Sequence, residues 1–107
     1  MKHKLMELNT RSIEMAQKIA DYIEHIKGGE VSAPALGTVF NLHPSNVRGY
    51  VSIAQVLGIP ICSNHKGYFF SNDPAQIRAT IEHMEKRIER QQQACAGLRE
   101  AMKRYDL

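Results

Sequence analysis

The sequence predicts a mainly α-helical fold with one small β-hairpin and a long helix at its C-terminal end. Three observations lead to this prediction. Apolar residues recur at steps of three and four between Ile13 and Ile26, which is typical of a helix with one buried face. Two short runs of strand-forming residues enclose a turn sequence at 64–67. Apolar residues then alternate at steps of four and three from Ile77 to Tyr105, as in helices that pair with other helices.

The first helix is expected over about residues 10–27. Lys27-Gly28-Gly29 should end it, because glycine accepts the left-handed conformation and lysine suits the negative end of the helix dipole. Residues 1–9 are predicted to form an N-terminal arm before this helix.

Two shorter helices should follow, with a tight turn between them. The first covers 33–40, and Pro44 opens the second, where its missing N–H does no harm. Gly37 allows the two helices to approach closely, and Asn41 suits the turn because Asn, after Gly, best accepts left-handed dihedrals. Two helices joined in this way have the outline of a helix-turn-helix. Its small core is expected to contain Leu36, Phe40, Leu42, Val47 and Tyr50.

Residues 59–71 are predicted to form a β-hairpin. The strand-like runs are Ile59-Pro60-Ile61-Cys62 and Tyr68-Phe69-Phe70, and Asn64-His65-Lys66-Gly67 supplies the reversal. A hairpin that only closes a core is one interpretation. Its position directly after the second helix of a helix-turn-helix favours a wing, with His65 and Lys66 at the tip.

The last helix, in the predicted dimerisation segment 73–107, has an N-terminal capping signature and a heptad seam. Asp73 can cap it, Pro74 suits its first position, and Gln76 would complete a capping box. The seam favours a coiled coil with a second copy, although packing onto the same chain is an alternative. Gln91 is interpreted as a polar seam residue that fixes the register of pairing at some cost in stability. The flanking residues leave the direction of pairing open. The predicted dimerisation residues are Ile77, Ile81, Met84, Ile88, Gln91, Cys95, Leu98 and Met102.

The distribution of charge is more informative than the net charge of +3. Asp and Glu are absent from 31–72, whereas Arg48 and Lys66 lie there, and a phosphate backbone requires such an acid-free surface. On the second helix of the helix-turn-helix, the face formed by Ser45, Arg48, Gly49 and Ser52 lies opposite the apolar face formed by Val47, Val51 and Ala54. Arg48 on this face can donate two hydrogen bonds to guanine. Asn46 can pair with adenine or hold a phosphate. The predicted DNA-binding residues are His43, Ser45, Asn46, Arg48, Gly49, Ser52, His65 and Lys66.

The stretch "ALGTVFNLHPSNVRGYV" resembles the general pattern of bacterial helix-turn-helix proteins. With "VRGYV" followed by "GIPICSNHKGYFF", the chain resembles winged helix-turn-helix domains, typified by the N-terminal domain of the biotin repressor, and more closely small phage and prophage proteins. The resemblance covers about Ser12 to Ser71, so residues 10–72 are expected to form a winged helix-turn-helix domain. It implies a recognition helix at 44–57 in the major groove and a wing at 59–71 on the DNA backbone.

Enzyme, metal and membrane functions find little support in the sequence. The five histidines are scattered, and no His-Glu-x-x-His, nucleophile elbow or phosphate-cradling glycine loop occurs. Cys62 and Cys95 form no Cys-x-x-Cys pair and are expected to be reduced thiols. No stretch approaches the roughly 20 apolar residues of a membrane span. We therefore expect a cytoplasmic protein that is not an enzyme and has no cofactor or metal.

The function predicted from these patterns is sequence-specific binding of double-stranded DNA. The protein would be a dimeric transcriptional regulator of phage or mobile-element type, a homodimer or higher homo-oligomer through its C-terminal helix. The alternative is a protein-interaction or assembly module that uses the winged helix and the coiled coil in phage DNA replication or maturation.

Overall fold

The computed structural model describes residues 9–26 and 29–105. Its elements are α1 (Thr10–His25), α2 (Ala33–Phe40), α3 (Pro44–Val56), β1 (Ile61–Asn64), β2 (Gly67–Phe70) and α4 (Pro74–Tyr105). The prediction of a mainly helical fold with one antiparallel hairpin and a long C-terminal helix is confirmed. The chain divides into two compact units, with the boundary after Ile77. No helix in the described ranges is both long and apolar enough to cross a membrane.

The core of the first unit lies where α1 packs on α3, with α2 and the hairpin closing it. The stripe predicted on α1 is confirmed, because its three-and-four spacing places one row of small and branched side chains against α3. The buried side chains of α1 and α3 are Ala16, Ile19, Ala20, Ile23, Val47, Val51, Ile53 and Ala54.

Both ends of α1 differ in detail from the prediction. Of the predicted N-terminal arm, residues 1–8 lie outside the described ranges, and Asn9 caps α1 by accepting the N–H of Ser12 at 2.9 Å. The helix ends at His25, earlier than expected, because Ile26 turns to extended dihedrals and packs partly against the core. Of the expected stop signal Lys27-Gly28-Gly29, the first two residues lie outside the described ranges, and Gly29 has the positive φ, 93°, that favours glycine.

The turn between α2 and α3 has the geometry that its residues predict. Asn41 adopts left-handed dihedrals of φ 57° and ψ 51°. The N–H of Leu42 then donates to the carbonyl of Gly37 at 2.8 Å. A Cβ atom at Gly37 would overlap the carbonyl oxygen of Leu42, so only glycine fits this approach.

The hairpin has a shorter turn than predicted, and a residue from outside the hairpin pairs with the backbone of β2. β1 pairs with β2 from Ile61 opposite Phe70 to Asn64 opposite Gly67, so the turn contains only His65 and Lys66. Val31 lies along β2, where it donates to the carbonyl of Tyr68 at 2.9 Å and accepts its N–H at 2.8 Å. Gly67 is needed here, because a Cβ atom would lie 2.5 Å from the carbonyl oxygen of Val31.

The start of α4 is capped as predicted by Asp73, but the predicted capping box is wrong. The Oδ1 atom of Asp73 accepts the N–H of Ala75 at 3.0 Å. Gln76 does not return to the N–H of Asp73, since its Oε1 accepts the hydroxyl of Ser71 instead. The Ser71 Oγ accepts the Asp73 N–H at 3.1 Å, so the preceding serine takes the role expected of the glutamine.

Candidate nucleic-acid interface and helix seam

The outer face of α3 presents short polar side chains and one arginine to solvent. Because successive helix residues are about 100° apart, the burial of Val47 and Val51 turns the opposite side of α3 outward. The predicted DNA-binding residues Ser45, Asn46, Arg48 and Gly49 are exposed there, and Ser52 is half-buried at the edge. The structure therefore brings these five residues together on one accessible face.

The predicted contact residue His43 has a structural partner at the N-terminus of α3. Its Nδ1 accepts the N–H of Ser45 at 3.1 Å and lies 2.9 Å from the Ser45 hydroxyl oxygen. His43 is thus the N-cap of the helix, and its exposed ring remains at the surface beside the first turn. No acidic residue occupies that turn, which leaves the positive end of the helix dipole uncompensated by a carboxylate.

The hairpin tip presents His65 and Lys66 to solvent, as the sequence predicts. Asn64 fixes the backbone at this point, because its Oδ1 accepts the N–H of Lys66 at 2.8 Å. The amide nitrogen of the same side chain donates to Oε2 of Glu30 at 2.9 Å. Asn64 therefore joins the tip to the segment that precedes α2.

Glu30 is the residue that sequence reasoning missed at this surface. The acid-free run begins at Val31, yet the carboxylate immediately before it lies beside the hairpin tip. The Asn64 hydrogen bond holds the pKa of this carboxyl below its usual range, with help from the backbone N–H of Glu30 and from electrostatic interaction with Lys66 and His65. The expected acid-free surface is therefore interrupted by one negative charge at the tip.

The end of α3 is tied to the hairpin by a glutamine. The side-chain amide of Gln55 donates to the carbonyl of Ile61 at 2.9 Å, which connects the last turn of α3 to the first residue of β1. Among the apolar residues in the second half of α3, Ile53 is buried in the core. Val56 is 63% exposed, and Leu57 after it is 40% exposed.

The predicted dimerisation residues share one face of α4, and most of them are open to solvent. Ile81 is 48% exposed, Ile88 is 55% exposed, and Leu98 and Met102 are each 68% exposed. Ile77 at the N-terminal end is half-buried. Met84, Gln91 and Cys95 are exposed as well, which completes a seam of eight residues at heptad spacing.

The described residues also contain one cluster of possible metal ligands, away from the predicted site. Side-chain ligand atoms of Asp21, Glu24 and His25 on α1 lie within 4.8 Å of one another, and all three residues are exposed. The backbone carbonyl and then the carboxylate of Asp21 raise the pKa of His25 above its usual value. Exposed acidic groups of this kind are common without a metal, and His25 contacts Asp21 as residues one turn apart on a helix do, with its Nδ1 2.8 Å from the Asp21 carbonyl oxygen.

Comparison of the chain with protein-family models, with curated proteins and with solved structures finds no match. The α3 face, the hairpin tip and the α4 seam are therefore interpreted from their own chemistry.

Proposed function

We propose that this protein binds double-stranded DNA sequence-specifically as a winged helix-turn-helix, and that it acts as a dimeric transcriptional regulator of phage or mobile-element type. The observation that carries the proposal is the exposed face of α3, on which Arg48 stands among short polar side chains opposite the buried Val47 and Val51. In this proposal α3 is the recognition helix, and the β1–β2 hairpin is the wing.

The composition of the α3 face suits direct reading of bases in the major groove. The guanidinium of Arg48 can donate two hydrogen bonds to guanine. The side-chain amide of Asn46 can form a pair of hydrogen bonds with adenine. Gly49 supports close approach to DNA, because a Cβ atom there would meet nothing within 4 Å apart from its chain neighbours and the backbone of its own helix. The protein's own packing thus gives no reason for a glycine that weakens the helix by about 1 kcal/mol.

The hairpin tip and the N-terminus of α3 suit contact with the phosphate backbone. Lys66 is exposed beside His65 at the tip, and a cation there would release counterions from DNA. The first turn of α3 carries no acid, and helix N-termini favour phosphate groups. Glu30 opposes this attraction at the tip, so we expect the wing to contribute modestly.

Pairing through the α4 seam would compensate for a modest single-copy affinity. The exposed apolar residues of the seam give a second copy a surface to bury. Two linked copies bind two half-sites with much higher avidity than either copy alone. Half-sites would then lie about one helical turn of DNA apart, or a multiple of it.

The experiment that tests DNA recognition is a fluorescence anisotropy titration of random and selected duplexes at several salt concentrations. Arg48→Ala should relax discrimination at one base position by roughly 1–3 kcal/mol per half-site. Lys66→Ala should weaken binding to all sequences alike and reduce the salt slope by about one. Arg11→Ala and Lys18→Ala, which remove matched charges from exposed positions on α1, serve as controls.

The proposal that this surface recognises DNA would be wrong if the Arg48→Ala and Lys66→Ala variants both bound duplexes as tightly as the parent protein. It would also be wrong if the α1 controls weakened binding as much as the two surface variants. The measurement therefore separates a specific surface from the general effect of positive charge.

A second candidate function, assembly with another protein in phage DNA replication or maturation, is favoured by a different observation. Val39 is 50% exposed, Val56 is 63% exposed and Leu57 is 40% exposed, and apolar side chains gain nothing from phosphate. In that case Val56→Ser should weaken binding of the partner protein, and Arg48→Ala should leave duplex binding unchanged.

A further inference from the structure

We propose that α4 pairs with a second copy of itself in antiparallel orientation, with Met84 facing Met102 of the partner subunit. This inference rests on the seam pairing proposed above and adds its direction and register. It is carried by the charges that flank the seam, together with the exposure of the seam itself.

The seam can be overlapped from Ile81 to Tyr105 when one of the two helices is reversed, and Ile77 then lies beyond the overlap. Its steps alternate between four and three, so a reversed copy offers a matching alternation of steps. With Met84 opposite Met102 of the partner subunit, Ile88 faces Leu98 of the partner subunit. Gln91 then faces Cys95 of the partner subunit, and every seam residue from Ile81 to Tyr105 has an opposite number.

In this register the charges beside the seam are complementary. Glu85 and Arg99 each directly follow a seam residue on the same flank of α4, and both are exposed. Reversal brings Glu85 towards Arg99 of the partner subunit, and the two-fold symmetry makes this pair twice. The other flank carries Thr80, Arg87, Ala94 and Ala101. In this register Arg87 faces Ala101 of the partner subunit, so it meets no like charge.

The competing arrangements lack this complementarity. An antiparallel pair shifted by one heptad so that Ile77 faces Met102 of the partner subunit would bring Arg78 towards Arg99 of the partner subunit, and like charges repel. The opposite shift would leave Arg99 facing the uncharged Gln92 of the partner subunit. In a parallel pair, a flanking residue of one helix lies next to the flanking residue five positions earlier or later on the partner helix. Glu85 would then meet the partner's Thr80 and Arg99 the partner's Ala94, so neither charge would find an opposite charge.

The direction is tested by crosslinking the full chain with cysteines at the two facing methionines. A Met84→Cys, Met102→Cys variant is made with Cys95→Ser, and Cys62 is buried away from the reagent. A short bis-maleimide cannot join positions 84 and 102 within one helix, since 18 residues span about 27 Å. After trypsin, we expect the link to join peptide 79–86 to peptide 100–103.

The outcomes separate this inference from the proposed pairing. Links joining 84 to 84 and 102 to 102 would show a parallel pair, which overturns the antiparallel inference and leaves seam pairing intact. A dimer in sedimentation without an 84-to-102 link would also overturn the register. A protein that sediments as a monomer would overturn the proposed pairing and this inference together.

Charge reversal gives a second measurement that does not depend on cysteines. Glu85→Arg should weaken dimerisation about tenfold, because it turns two attractive pairs into two repulsive ones. Adding Arg99→Glu should restore the parent value. Glu82→Arg, which makes the same change on the face away from the seam, is the control and should have little effect. A failure of the double variant to recover would contradict the antiparallel arrangement.

Discussion

Replacing Ile81 and Ile88 together by lysine should separate the proposed dimer into monomers. The two side chains are 48% and 55% exposed in one copy, so about half of each remains to be buried by a partner. Burying a whole isoleucine side chain contributes about 1.5–3 kcal/mol, so half of one contributes about 1 kcal/mol. A dimer contains four such side chains, so their loss amounts to about 4 kcal/mol, or about a thousandfold in the dissociation constant.

Analytical ultracentrifugation over a range of concentrations measures this change directly. The parent should sediment as a dimer where the double-lysine variant sediments as a monomer. An Ala79→Lys, Gln93→Lys variant adds the same two positive charges at exposed positions off the seam, and it should remain dimeric. Circular dichroism should show that the helix itself is retained in both variants.

The DNA affinity of the monomeric variant should fall by orders of magnitude, because two half-site contacts would no longer be linked. The seam assignment fails if the double-lysine variant stays dimeric at the concentrations where the parent pairs. A variant that becomes monomeric but binds DNA undiminished would show that pairing serves some purpose other than recognition.

Three further predictions concern the first unit. Glu30→Gln should strengthen binding to every duplex several-fold, because it removes the carboxylate beside Lys66, and anisotropy titrations that show no gain would exclude DNA contact at the tip. Gly49→Ala should raise the thermal midpoint by about 4–8 °C, for a gain of about 1 kcal/mol in the free energy of unfolding, yet weaken DNA binding. Retention of full affinity would contradict close approach at Gly49. For His25, whose folded pKa is raised above 6.5 by Asp21, the extra stability is present below 6.5 and is lost as the pH rises past the raised value. The difference in thermal midpoint between the parent and His25→Gln should therefore shrink through that interval, and a difference independent of pH would refute the linkage.

Features that depend on neighbouring residues could be predicted from the sequence. The bounds of α2 and the turn after it were predictable because Asn41 accepts left-handed dihedrals, Pro44 fixes its own φ, and Gly37 is only a few residues away. The exposed face of α3 follows from helical periodicity, since the buried Val47 and Val51 determine which side faces outward. The seam of α4 could be predicted for the same reason, since its residues follow the heptad spacing of a helix.

Features that depend on distant residues could not be predicted. Glu30 reaches the hairpin tip because Val31 pairs with Tyr68, and the residues around Val31 do not predict that pairing. The replacement of Gln76 by Ser71 in the capping interaction is local, but both side chains carry an oxygen that can accept the N–H of Asp73, and the sequence does not decide between them. The DNA contacts depend on a partner molecule, and both they and the winged helix-turn-helix assignment stay predictions.

The backbone pairing of Val31 with Tyr68 also has a consequence for aggregation. A two-stranded hairpin offers unpaired N–H and C=O groups along its edges, and such edges can recruit strands from other chains. Val31 occupies the side of β2 that faces away from β1 at Tyr68, with hydrogen bonds of 2.9 and 2.8 Å, and thereby prevents strand addition at that point. Detachment of Val31 would leave an aromatic strand, Tyr68-Phe69-Phe70, with an open edge. Conditions that loosen this segment should therefore promote self-association through the hairpin before the helical core unfolds.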